Sequence, residues 1–207
     1  MGVCSDKNSS KYYIVSELAE CSLFDMVHQP HKLRWTGDLT ALLALELTQG
    51  ICAGVLYLHR CSLVHADLKS SNILVNFSSG KLTPLICDFG HAAVRSVPSP
   101  HHRCGTPHWA APEVLRGEAL GPAADVYSLG VILWEMLTQR LPHRGLSFCQ
   151  VLGAVGWAGW VPDMVMLPDG MPGALRRLLQ KCLAFAPKWR PEAQAMQRRL
   201  RDVIRRE

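Results

Sequence analysis

The chain has 207 residues, 48% of them hydrophobic and 19% charged, with a formal net charge of +5. That composition excludes a disordered chain and fits one domain, or a large piece of one, with a buried core. Part of the positive charge sits in the tail RRLRDVIRRE, and the other Lys and Arg residues are scattered. They form no basic stripe of the kind a nucleic-acid reader shows, so no nucleic-acid partner is expected.

The first 11 residues are expected to be a short remnant ahead of the first element. Residues 12–18, YYIVSEL, are β-branched and aromatic and predict a strand. SLFDMVHQ predicts a short helix ended by Pro30. Asp38 is the expected cap of a long helix reaching about His59, because Leu43, Leu47, Ile51, Val55 and Leu58 recur at steps of four and three. Two short strands, ILVN and LICD, flank FSSGKLTP, which reads as a hairpin connection. Residues 89–112 have no periodicity and predict a long loop, and long loops in compact domains usually carry function.

ADVYSLGVILWEMLTQR is apolar nearly all round and should be the central buried helix. GALRRLLQKCLAF is amphipathic. RPEAQAMQRRLRDVIRR predicts a terminal helix that starts at Pro191, a tolerated first-turn position. The expected fold class is α+β, mainly helical, with a small β-hairpin in the middle.

The eight cysteines form no C-x-x-C pair, and no histidine cluster joins them at zinc spacing. The polar start MGVCSDKNSSKYY is not a secretory signal, and Asp6 stands where a myristoylation pattern wants Ser or Thr. Scattered reduced thiols then predict a cytoplasmic location, or a nuclear one. The apolar stretches 41–58 and 151–167 are broken by Glu46 and Gln49, and by Gly153, Gly156, Gly159 and Pro162. Neither is expected to span a membrane. The second stretch is either core or an exposed docking patch.

The chemistry concentrates in LVHADLKSSNILV, residues 63–75, and in Asp88-Phe89-Gly90 beyond the hairpin. A hairpin brings its own ends together, so Asp67, Lys69, Asn72 and Asp88 can converge. Asn72 and Asp88 are hard oxygen ligands suited to magnesium. Lys69 can neutralise a transferring phosphoryl group, and Asp67 can accept a proton from an attacking hydroxyl.

These motifs resemble the C-terminal lobe of the eukaryotic protein kinases. His65-Ala66-Asp67 resembles the catalytic loop, and Asp88-Phe89-Gly90 the metal-binding triplet. Ala111-Pro112-Glu113 resembles the end of the activation segment, and residues 125–130, DVYSLG, the start of the central helix. Arg190 resembles the late arginine that pairs with the activation-segment glutamate. Lys69 and Thr106 are similar to the serine/threonine type, and the flavour of GTPHWAAPEVL is similar to Raf-like, mixed-lineage or Mos-like kinases.

The resemblance implies ATP and Mg2+ as cofactors and a protein as substrate. It implies Asp67 and Lys69 as catalytic residues and Asn72 and Asp88 as metal ligands. It also implies that Glu17 and Ala19 of the hinge, Leu74 under the adenine, Asn72 and Asp88 bind the nucleotide. Residues 12–20 would be the last strand of the N-terminal lobe plus the hinge, with Ser16 as gatekeeper, and 21–207 the C-terminal lobe.

Two departures stand out. Ala66 occupies the position of the arginine that grips an activation-loop phosphate, so phosphorylation at Ser96, Ser99 or Thr106 would meet no cation from this loop. The 207 residues also contain no Gly-rich phosphate loop and no matching strand lysine. Two functions compete on that ground: an ATP-dependent serine/threonine kinase, or an inactive truncated kinase serving as a binding module or decoy.

Plain structural roles are expected for several residues. His65 should pack under Phe89 and bond backbone, and Asp125 should hold the catalytic-loop backbone. Glu113 and Arg190 should form a buried pair. Cys87 is read as a small hydrophobe before a reactive thiol, and His101-His102 as an exposed loop before a metal site.

Overall fold

The computed structural model describes residues 2–6, 11–33, 37–78, 81–94 and 106–206. Ser96, Ser99, His101 and His102 lie outside the described residues.

Strand β1 (Gly2–Asp6) pairs antiparallel with β2 (Lys11–Val15), with Gly2 opposite Val15 and Asp6 opposite Lys11. The first of these was not expected from sequence, since GVCSD shows no apolar alternation. In β2 Tyr12, Tyr13, Ile14 and Val15 are all exposed, and the two strands form a sheet of their own.

After residues 16–20 comes β3 (Cys21–Ser22), then α1 (Leu23–His28). Ser22 caps α1 through a box with Asp25: the Ser22 hydroxyl accepts the Asp25 N–H, and the Asp25 carboxylate accepts the Ser22 N–H. Helix α2 (Ala41–Arg60) is capped by Thr40, whose hydroxyl accepts from the Leu43 N–H at 3.2 Å. Asp38, the expected cap, instead offers its carbonyl to the Thr40 N–H.

The hairpin follows: β4 (Leu63–Val64), then β5 (Ile73–Ser78) and β6 (Lys81–Ile86). The sheet order is β3-β5-β6. Strand β6 starts four residues earlier than expected and runs through Pro84, opposite Val75. As an edge strand it tolerates proline, because a missing N–H on the open side leaves no ladder bond unmade. Inside the expected long loop, β7 (Ala93–Val94) pairs with β4.

The remaining helices are α3 (Pro112–Leu115), α4 (Pro122–Thr138), α5 (Phe148–Val151), α6 (Gly173–Cys182) and α7 (Ala193–Ile204). A π-helical turn, Leu152–Trp157, continues α5. The last helix starts two residues after Pro191, with Glu192 as its cap.

Helix α4 is buried from Ala124 to Leu137, all round, as its composition demands. Around it pack α2, with Leu47, Ile51 and Val55 buried, and α6, with Leu175, Leu178 and Leu179 buried. By length and composition α2 could cross a membrane, but its apolar stripe lies in this core, against α4 and α7. Two glycines set where the hairpin sits. A Cβ on Gly50 would stand 2.7 Å from the Pro84 ring, and one on Gly54 2.8 Å from the Ile86 side chain. Helix α2 therefore lies directly on β6, and β6 delivers Asp88.

Of the apolar segment 151–167, Val151, Val155 and Leu167 are core, while Trp157, Trp160, Val165 and Met166 face solvent. The core reading holds for the first three, and the other four are exposed.

Candidate active site

The loop between β4 and β5 is fixed from below by α4. Both oxygens of Asp125 accept backbone N–H groups, Oδ2 from His65 and Oδ1 from Ala66, each at 3.0 Å. The His59 ring donates to the same carboxylate at 2.8 Å. This clamp holds Ala66 in the left-handed region, φ 67°, which an L-residue adopts only at a cost.

His65 is fully buried and bonds backbone on both sides. Its Nε2 lies 3.0 Å from the Cys87 carbonyl, and its Nδ1 faces the Asp67 N–H at 3.4 Å. A carbonyl only accepts, so Nε2 is the donor to Cys87. Its face meets Phe89, with centroids 5.3 Å apart.

Asp67 is 7% exposed, and each of its oxygens is engaged. Oδ1 accepts the Thr106 N–H at 3.0 Å, which ties the loop to the segment before α3. Oδ2 lies 2.9 Å from the Lys69 ammonium and 3.2 Å from the Asn72 amide nitrogen. Lys69 also donates to the Thr106 hydroxyl at 2.7 Å. Asn72 donates a second bond to the Asp67 carbonyl at 2.9 Å. Its amide oxygen is left for other work.

The β-ladder brings in Asp88. Ile73 faces Ile86, so Asn72 lies beside Cys87, whose N–H donates to the Asn72 carbonyl at 3.0 Å. Asp88 is next along, exposed, with φ 62°. One of its oxygens accepts the Gly90 N–H at 3.2 Å. Asp67, Lys69 and Asn72 are thus in direct contact, and Asp88 reaches the same end of the hairpin through Cys87.

Asn72 and Asp88 supply one amide and one carboxylate oxygen. Among the described residues no group of three or more His, Cys, Asp or Glu could hold a metal. A pair of hard oxygens fits magnesium, which keeps waters and takes phosphate oxygens as its other ligands.

Burial and the neighbouring Asp88 push the Cys87 thiol up, against a smaller opposing effect of Lys69. It stays protonated, which is the unreactive state.

Glu17 is exposed, Ala19 is half-buried, and Leu74 is half-buried opposite Ser22 in the β3–β5 pair. Glu20 accepts the Phe77 N–H at 2.9 Å, which ties the residues before β3 to β5.

Two groups that the sequence did not single out also hold the site. His59 is the third partner of Asp125. Glu135 of α4 is fully buried and binds three segments: the His28 ring at 2.8 Å, the Ser70 hydroxyl at 2.8 Å and the Trp109 indole N–H at 2.7 Å. A carboxylate within the apolar run after Asp125 was the signal, since a buried charge must be paired.

Glu113 and Arg190 lock the far end of the activation segment. The guanidinium meets both carboxylate oxygens, at 2.5 and 2.7 Å. Its other N–H groups reach the carbonyls of Ala123, Ala184 and Phe185.

The protein kinase domain family matches residues 2–200 of the chain. The probable serine/threonine-protein kinase drkA of Dictyostelium discoideum is 35% identical over 185 residues, 88% of this chain and 27% of its own length. The probable serine/threonine-protein kinase SIS8 of Arabidopsis thaliana is 36% identical over 199 residues, 92% of this chain and 18% of its own length. CTR1, a serine/threonine-protein kinase of the same plant, is 34% identical over 197 residues, 93% of this chain and 23% of its own length. The chain therefore spans about a fifth to a quarter of the length of these three curated relatives. With the clamp on the loop, the paired Asp67 and Lys69 and the Glu113–Arg190 lock in the same order as the family's motifs, the chain belongs to the eukaryotic protein kinase family, on its serine/threonine side.

Proposed function

We propose that these residues carry the phosphoryl-transfer chemistry of a kinase that uses ATP and magnesium to modify serine or threonine hydroxyls of a protein substrate. The observation that supports it most is the buried carboxylate of Asp67, held by the Thr106 N–H and by Lys69.

In this reading the substrate hydroxyl oxygen attacks the γ-phosphorus, and its proton passes to Asp67. The bond from the γ-phosphorus to the β,γ-bridging oxygen breaks, and ADP leaves. Lys69 offsets charge on the moving phosphoryl group, while its bond to Thr106 keeps it beside the base. Asn72 and Asp88 would hold the magnesium ion, which neutralises phosphate charge when bound. The backbone at Glu17 and Ala19 would bond the adenine edge, and Leu74 would lie beneath it. The seven free cysteines among the described residues favour a cytoplasmic setting.

A second reading is a non-catalytic binding module. One assay separates the two. Radiolabelled phosphate transfer to a generic basic protein is measured for these residues alone and for the same residues fused to a kinase N-terminal lobe. Transfer by the fusion, lost in Asp67→Asn, is expected, with little from the 207 residues alone. A fusion that binds ATP without transfer supports the binding module.

A further inference from the structure

Helices α6 and α7 pack side by side and leave a groove of about 370 Å³ that the kinase chemistry does not use. Its floor includes Leu178 and Val203, whose side chains belong to the core. Its rims carry Arg177 and Lys181 from α6, and Arg199 and Arg206 from α7 and the turn after it. One carboxylate, Asp202, stands among these four cations. All five are exposed. Among the described residues, none of the four cations has an ion-pair partner within the chain.

We propose that this groove docks an acidic peptide segment carrying an apolar anchor residue. Three features choose that ligand. The cations do not converge on a point: Arg199 and Arg206 are seven residues apart, roughly 10 Å along a helix, so a single phosphate would meet only part of the set. The apolar floor is recessed between charged rims, which suits one or two side chains lowered into it. A membrane surface would instead call for protruding apolar or aromatic groups, and none line the groove. Unpaired rim charges of one sign draw an opposite charge to the site and set its register.

The test is fluorescence anisotropy with the whole 207-residue chain and a short labelled peptide of Glu and Asp around a central Leu pair. The wild type should bind, and binding should weaken as salt rises through the range where the Debye length falls below about 8 Å. Arg177→Glu with Arg199→Glu should weaken binding about tenfold or more. Arg198→Glu with Arg201→Glu makes the same charge change at exposed positions outside the groove and should alter binding less than about twofold. Replacing the peptide's Leu pair by Ala should also weaken binding. Circular dichroism melting of both double variants checks that they fold; a double variant that melts early is replaced by the milder Arg177→Gln with Arg199→Gln, read on the same scale. Equal losses in the two double variants, indifference to the Leu pair, no binding, or stronger binding of phosphatidylserine vesicles would each overturn the proposal.

Discussion

The carboxylate of Asp125 accepts the N–H of Ala66 at 3.0 Å, joining the first turn of the central helix to the residue just before the catalytic-loop aspartate. The same carboxylate holds the His65 N–H and the His59 ring. Asp125→Ala would leave one buried and one part-buried backbone donor and an imidazole without their acceptor. At about 1–3 kcal/mol for each unsatisfied group, partly offset by relaxation, a loss of about 3–5 kcal/mol is expected in urea unfolding. A loss under about 1 kcal/mol would mean that water replaces the carboxylate.

Arg190→Lys tests the lock on the activation segment. Lysine keeps the charge but cannot grip Glu113 with two N–H groups while reaching the carbonyls of Ala123, Ala184 and Phe185. Thermal unfolding should show a loss of about 3–5 kcal/mol, most of it from the incompletely paired Glu113. A near-neutral result would show that charge alone suffices there.

His143 gives a pH dependence. Burial, with the nearby His108, lowers its pKa to about 4 from an ordinary value of 6.5. The unfolded chain therefore takes up a proton between pH 6.5 and about 4 that the folded chain refuses. Acidification through that window favours unfolding, and the stability is recovered as pH rises. The residue is partly exposed, so solvent screening reduces the effect to about 1–2 kcal/mol. It sits at φ 52°, which asparagine tolerates, so His143→Asn should lose correspondingly less stability between pH 6.5 and 4. Identical pH profiles in urea unfolding would contradict this.

Gly130→Ala probes the contact between α4 and α6. A Cβ there would lie 2.9 Å from the Cβ of Cys182 and 3.2 Å from Leu183. The first neighbour is anchored to backbone, so the helix end must move. The expected cost is about 1–3 kcal/mol, despite alanine's better helix propensity. Greater stability in the variant would show that α6 can slide.

Much of the architecture could be read from residue patterns, and the omissions have physical causes. Helix α4 was legible because few other contexts need a run as apolar as VYSLGVILW. The α2 cap was misplaced by two residues because Asp38 and Thr40 both suit the role, and local chemistry does not rank them. Strand β1 was missed because its support comes from pairing with β2, a contact that local sequence does not announce. Most of β6 was read as turn because Pro84 marks a break until the strand is known to lie at an edge. At the site, Asp67, Lys69, Asn72 and Asp88 were legible as a motif. Their mutual support was less so: Glu135 and His59 act across long stretches of chain, where no spacing rule connects them to the loop.

Glu135 has a consequence for how this chain can change. Its carboxylate is shared by His28 of α1, Ser70 after the catalytic loop and Trp109 of the activation segment. Each donor is satisfied only while the acceptor stays where the other two hold it. Substitutions at these three positions are therefore not independent events, and their effects on stability should depart from additivity. A lineage that loses one of the donors meets a different cost for losing the next. The acceptable residues at Trp109 depend on what stands at His28, although neither is the other's neighbour in sequence. The central helix thus links the inheritance of three segments through a single pair of oxygen atoms.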